Sequence, residues 1–446
     1  MRLGIGMVRP STLLKGTTQC LPSVKENCGP LTSVRQNKAT CLRITNSFNP
    51  LGSTSIQCFE SIRGAKLRDK WLECQGIKNW EGLLDPLDDD LRGEILRYGQ
   101  FVEAAYHAFD FDTSSPTYAT CCYPKESMLT QCGIGTSGYQ VTKNLHATCS
   151  LHVPRWMERT PYLVSTQSSW IGYVAICEDK EEIARLGRRD VVISYRGTAT
   201  CMEWLENLRA TLTCLPDDMA PKNCEPMVQS GFLSLYASST KSHPSLQQMV
   251  KEEIGKILQN YCDEPLSITI TGHSLGAALA TLTAYDITNT FSQAPLVTVV
   301  SFGGPRVGDR TFRKQLERNG TKVLRIVNSD DVITKVPGFV IDDRCDVAKK
   351  EAVHLAAGLP AWLQKRVEDT QWVYAEIGKE LRLSSKDCPH LSKGDVATCH
   401  DLKTYLHLVN NFVSSTCPFR ATAKRVLERT HQEKQLLFRL KDHQPT

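Results

Sequence analysis

The stretch SITITGHSLGAALATL, residues 267–282, constrains the fold more than any other part of the chain. Its first half is rich in β-branched residues and has strand propensity, while the alanine-rich half from Ala277 onward is helix-forming. Between them, Gly272-His273-Ser274-Leu275-Gly276 must turn the backbone from extended to helical within five residues. So sharp a turn brings the strand end against the first helical turn. Side chains at the flanking positions would clash there, which accounts for Gly272 and Gly276, with Ala277 and Ala278 packing close behind. The turn lifts the Ser274 hydroxyl out of the sheet at a helix N-terminus, whose dipole favours a developing negative charge. G-x-S-x-G in this setting is a nucleophile elbow. The plainer alternative is a tight strand–helix turn that happens to contain serine.

A serine hydroxyl is a poor nucleophile until a base removes its proton. An acid and a histidine should therefore follow, in the order Ser, Asp, His. In IVNSDDVITKVPG, Asp330 and Asp331 both sit where a strand ends, the edge at which active sites of open α/β sheets collect. The downstream histidines are His354, His390, His400, His407, His431 and His443. His400, in TCHDLKTYLHLV at the start of an apolar helical run, is well placed to be fixed, whereas His407 inside that run reads as a packed helix residue. An oxyanion hole needs backbone N–H donors. Leu275, directly after the serine, supplies one. Thr198, in the Y-R-G-T turn that ends DVVISY, is the candidate for the second, although R-G-T is also a common strand-end turn.

The rest of the chain sets this turn in an α/β frame. Asp89-Asp90 before LRGEILRYGQFVEAAYHAF predicts a capped helix with apolar residues at three–four spacing, part of a helical N-terminal cap over 60–120. Residues 115–165 read as loops. WIGYVAIC and DVVISYRG predict a hairpin. A helix over 243–261, the strand at 267–272, a helix behind Ser274, and strands LVTVVSFGG and KVLRIVNS follow. Strands alternating with helices imply a mostly parallel sheet covered on both faces. The segment 201–218 carries Met202, Trp204, Leu205 and Leu208 among charges, and is either an amphipathic lid or an ordinary core-packed helix.

Charge separates a leader from the body. Residues 1–59 hold seven basic residues against the single acid Glu26, more than the chain's net +5, so the remainder is close to neutral. That leader is rich in Ser and Thr and lacks a long apolar run, which predicts an organellar transit peptide rather than a secretory signal. The body, 60–420, has no concentrated basic face for nucleic acid, and residues 421–446 form a charged tail. The 18 cysteines are scattered without C-x-x-C pairs, and no His/Cys grouping has metal-ligand spacing. No metal or cofactor is expected. Nor does any apolar run approach the roughly 20 residues of a membrane-spanning helix.

The strings SYRGT, VQSGF, ITGHSLGAALATL, SFGGPRVG and RIVNSDDVITKVPG resemble the class 3 lipases, which include the fungal triacylglycerol lipases. KWLECQGIKNWEGLLDPLDDDLRGEILRYGQFVEAAYHAFDFD, GRRDVVISYRGT and CHDLKTYLHLV are similar to a narrower set, the chloroplastic class I phospholipases A1 of plants, the defective-in-anther-dehiscence group. The similarity runs over residues 68–415. It implies an α/β-hydrolase fold with a lid, for which Trp204 and Leu205 are candidates. It also implies a chloroplast address and action on glycerolipids at the plastid membrane surface. There the sn-1 ester of phosphatidylcholine or galactolipids would be cleaved, releasing linolenic acid for jasmonate synthesis. The resemblance assigns Ser274 as nucleophile and Asp331, directly before Val332, as the acid. It assigns His400 as the base with His407 in reserve, and Thr198 to the oxyanion site. A neutral-lipid lipase shares this chemistry; an inactive lipase-like scaffold would not need a complete Ser, Asp and His set. Two departures are small: Ser194-Tyr195 precede the R-G-T, and Gln229 stands where the family often has histidine.

Overall fold

The β-rich runs pair as a seven-stranded sheet in the order β1-β2-β3-β6-β7-β8-β9. Its strands are β1 (Tyr139–Thr148), β2 (Ser168–Cys177), β3 (Arg189–Tyr195), β6 (Leu266–His273), β7 (Leu296–Phe302), β8 (Lys322–Asn328) and β9 (Lys379–Leu383). The structure is a computed structural model that describes residues 67–148, 168–198, 211–221, 224–240, 243–336, 374–388 and 395–415. The leader, the lid candidates Trp204 and Leu205, and the tail 421–446 lie outside the described residues. Strands β3, β6, β7, β8 and β9 run parallel to one another, while β1 and β2 are antiparallel additions at one edge. The predicted hairpin is thus the β2–β3 pair. The chain has an α/β-hydrolase fold with a mostly parallel central sheet. Within the predicted lid segment 201–218, Leu212–Cys214 forms a short strand, β4, antiparallel to β5 (Met227–Gln229), so that end of the amphipathic segment is not helical.

Side chains alternate across the sheet with the period of two that a pleated strand imposes. Val191, Ile193, Ile268, Ile270, Val297 and Val299 face one apolar layer. Val192, Val300, Phe302, Leu324, Ile326 and Leu381 face the other. Helix α1 (Asp89–His107) covers the second face, and helices α2 (Leu246–Asn260) and α3 (Leu275–Thr290) cover the first. Sequence placed the α1 cap one residue late: Asp88 accepts from the N–H groups of Asp90 and Leu91. Helix α2 begins with a Ser245–Gln248 capping box.

Besides the short β4–β5 pair, two strands of the central sheet escaped the sequence. β1 lies inside the stretch read as loops, because YQVTKNLHAT buries only part of its side chains and its polar residues hide the alternation. β9 is the charged pentapeptide KELRL at the other edge, with Leu381 and Leu383 as its buried positions.

The α1 side of the sheet also buries charge. Arg97 bonds Glu94 and Asp190, and Arg188 reaches Glu94 at 3.3 Å. Burial would raise the Glu94 carboxyl, but Arg97 and then Arg188 overcome it and hold it at about 2. Because the folded pKa lies below the ordinary 4.5, this group stabilises the fold above pH 4.5, and that stabilisation disappears as pH falls toward 2. Glu94→Gln should therefore cost about 3 kcal/mol at neutral pH. Urea midpoints of variant and parent should converge on acidification; a gap unchanged at low pH would refute the ion-pair account.

Candidate active site

Ser274 sits between β6 and α3 with φ of 58°, a left-handed conformation rare for a residue with a side chain. The steric argument for its neighbours holds in detail. A methyl on Gly272 would lie 2.4 Å from the Gly276 carbonyl, and one on Gly276 would lie 2.6 Å from the carbonyl oxygens of Tyr195 and Arg196. The helix start is thus pressed onto the exit of β3. Leu275 opens α3, where the first N–H groups have no partner within the helix.

Asp331 and His400, 69 positions apart in sequence, meet at the carboxyl edge of the sheet, with His400 Nδ1 2.7 Å from Asp331 Oδ2. Asp331 is fully buried and accepts two further bonds, from the Tyr405 hydroxyl at 2.6 Å to Oδ2 and from the Ile333 N–H at 2.9 Å to Oδ1. Burial, then the adjacent Asp331 charge, pushes the Tyr405 phenol well above its usual pKa, so it remains a donor. Asp330 turns away to an ion pair with Lys386 at 3.0 Å and a bond from Ser384. Asn328, at the end of β8, donates to the Cys399 carbonyl at 2.9 Å and accepts from the Ser385 N–H, tying the His400 segment to the sheet.

His400 closes a short helix, α4 (Val396–His400), and the chain bends at Asp401 into α5 (Leu402–Asn411), so the apolar helical run begins after it. His407 projects outward from α5 and bonds Cys388 and Asn411; it is exposed rather than packed, because Tyr405, Leu408 and Val409 take the buried face. Both Ser274 Oγ and His400 Nε2 are buried, and neither has a hydrogen-bond partner among the described residues.

The turn after β3 lies against the serine, since a methyl on Gly197 would sit 3.1 Å from Ser274 Cβ. Thr198 follows directly, and its buried hydroxyl is also without a partner among the described residues. Arg196 braces this turn. It donates to the carbonyls of Gly197 at 2.7 Å and Trp170 at 3.0 Å, with its guanidinium 3.5 Å from the Phe109 ring centroid. Burial lowers its pKa to about 10. His273 lies buried behind the serine, bonded to the His400 carbonyl at 2.7 Å. Sequence reasoning did not single out Tyr405, Asn328 or Arg196. Gln229, the departure noted above, accepts from the Phe232 N–H and caps the helix Ser230–Ala237.

A hydroxyl, an imidazole oriented by a carboxylate, and a turn able to present N–H groups can together support acyl transfer through a serine ester. Residues 192–341 match the protein family described as Lipase (class 3). Over 393 residues the chain is 64% identical to Phospholipase A(1) DAD1, chloroplastic, of Arabidopsis thaliana, covering 87% of this chain and 85% of that one. The chain belongs to the class 3 lipases, within their chloroplastic phospholipase A1 group. It is also 39% identical over 356 residues to Galactolipase DONGLE, chloroplastic, of the same plant, covering 76% of this chain and 69% of that protein. Among solved structures, a lipase from Rhizopus microsporus var. chinensis aligns with a TM-score of 0.39 at 19% identity, covering 57% of this chain and 71% of that one. As a member of this group the chain is a carboxylic ester hydrolase.

Proposed function

We propose that this chain is a plastid glycerolipid acyl hydrolase that removes the sn-1 fatty acid of phospholipids or galactolipids, with Ser274, Asp331 and His400 as its catalytic residues. The observation that carries the catalytic assignment is the pair of buried atoms Ser274 Oγ and His400 Nε2, without hydrogen-bond partners among the described residues, with the other nitrogen of His400 held by Asp331. Leaving two such atoms unbonded is costly in a core without function. The names of the two plant relatives support the substrate class and the plastid address. The basic leader, 1–59, is assigned to import, and 60–420 to the catalytic body.

In this mechanism His400 Nε2 takes the Ser274 proton as Oγ attacks the ester carbonyl. The oxyanion is held by the N–H groups of Leu275 and Thr198. The lysolipid leaves with the proton from His400, and water then releases the fatty acid by the same steps in reverse roles. Asp331 keeps the Nδ1–H tautomer throughout. Trp204 and Leu205 are assigned to contact with the lipid surface, where no membrane-crossing helix is found among the described residues.

The test uses vesicles of phosphatidylcholine, or of monogalactosyl diacylglycerol, carrying different acids at sn-1 and sn-2. The sn-1 acid should be released first from both. Release mainly from sn-2 would overturn the positional assignment, and no release from either vesicle by a protein that still cleaves a soluble ester would overturn the substrate assignment; both leave the serine mechanism standing.

A further inference from the structure

A hydrogen-bonded chain connects the turn after β3 to the His400 backbone, passing behind Ser274. The Gly197 N–H donates to Tyr106 Oη at 2.9 Å. Tyr106 Oη is 2.8 Å from His273 Nδ1, and His273 Nε2 is 2.7 Å from the His400 carbonyl oxygen. The direction of each bond follows from valence. A backbone N–H only donates and a carbonyl only accepts. A neutral imidazole has one N–H, so His273 places it on Nε2 toward the carbonyl, and Nδ1 accepts from the Tyr106 hydroxyl. Burial keeps His273 neutral by lowering its pKa well below the usual value. The His400 ring, with its centroid 4.7 Å away, pushes the same way, and the bond to the His400 carbonyl opposes both.

The links come from different parts of the fold. Tyr106 stands near the end of α1, His273 ends β6, Gly197 follows β3 and His400 closes α4. Each terminus of the chain is a main-chain group beside a reacting atom. Gly197 precedes the proposed oxyanion donor Thr198, and the His400 carbonyl belongs to the residue that carries the base. A methyl on Gly197 would meet Tyr106 Oη at 2.3 Å, so the hydroxyl fills the space against which the turn rests.

We propose that Tyr106 and His273 are positioning residues that fix the oxyanion turn and the base in one geometry around Ser274. This inference rests on the Ser274–Asp331–His400 assignment. Neither residue touches the reacting ester. Their effect is on alignment, where an error of about 1 Å costs up to about 10²-fold in rate.

Tyr106→Phe removes the central hydroxyl and keeps the ring. On a short soluble ester it should lower kcat about 10-fold with KM unchanged. It should slow inactivation by an organophosphonate, whose tetrahedral adduct also needs the oxyanion donors, by the same factor. Unchanged kcat and inactivation would overturn the inference. So would a kcat loss accompanied by a raised KM and a lowered unfolding midpoint, since that is a packing defect. Should Tyr106→Phe not fold, His273→Gln keeps an N–H for the His400 carbonyl and loses the ring acceptor. A kcat loss at constant KM supports positioning there too, and a parental kcat refutes it. Ser274→Ala in parallel separates the two levels: if that variant retains turnover, the catalytic assignment itself has failed.

Discussion

Ser274→Ala should lower ester hydrolysis by about 10⁶-fold, and His400→Ala by a similar factor. The double variant should be little worse than either, because a nucleophile without its base and a base without its nucleophile are equally idle. The fold should survive the serine change. Ser274 Oγ has no hydrogen-bond partner among the described residues, so its removal orphans no buried group. Steady-state kinetics on a soluble ester, with a thermal melt on each variant, decides the matter. Near-parental turnover in His400→Ala would discard the base assignment. His407 is then the histidine to test, although it projects outward toward Cys388 and Asn411.

How much of this was legible in the sequence depends on whether the signal is local. The elbow is written in consecutive residues because its cause is steric contact between near neighbours, Gly272 against Gly276. The parallel strands β6, β7 and β8 are buried on both faces, so they read as continuous β-branched runs. The edge strands β1 and β9 do not, since solvent on one side admits lysine, asparagine and glutamate. The choice between Asp330 and Asp331 could not come from residue spacing, because both follow β8 directly. It came from resemblance, and the structure brings Asp331 to His400. Tyr106, Tyr405 and Asn328 were hidden for a different reason. In sequence Tyr106 is one more apolar position on an amphipathic helix; only the fold brings its hydroxyl to His273, 167 positions away. Polar groups on buried faces acquire a role from partners distant in the chain, and a single sequence does not name those partners.

Asp331→Asn should cost about 10⁴-fold in kcat, comparable to other triads in which this change traps the wrong tautomer. The reason lies in what Asp331 receives. All three of its bonds come from donors: the Ile333 N–H at Oδ1, and Tyr405 O–H with His400 Nδ1 at Oδ2. An asparagine has one accepting oxygen. If that oxygen stays with Ile333, the NH₂ group faces Tyr405 and His400, and the imidazole can only accept by moving its proton to Nε2. That nitrogen then has no lone pair for the Ser274 proton, and the base is lost. If the amide flips, its NH₂ meets the Ile333 N–H donor to donor and the turn after β8 is strained. Both orientations keep the carboxyl volume; the donor-to-donor clash at Ile333 disfavours the flipped one, so the first, with its trapped tautomer, sets the loss. Asp330→Asn is the matched control. It breaks a pair with Lys386, whose side chain is 74% exposed, and such a pair is worth about 0–1 kcal/mol. Turnover should be unchanged by Asp330→Asn and nearly abolished by Asp331→Asn, with both proteins folded. Equal losses in the two variants would mean that negative charge at this edge of the sheet, and not the tautomer of His400, is what the reaction requires.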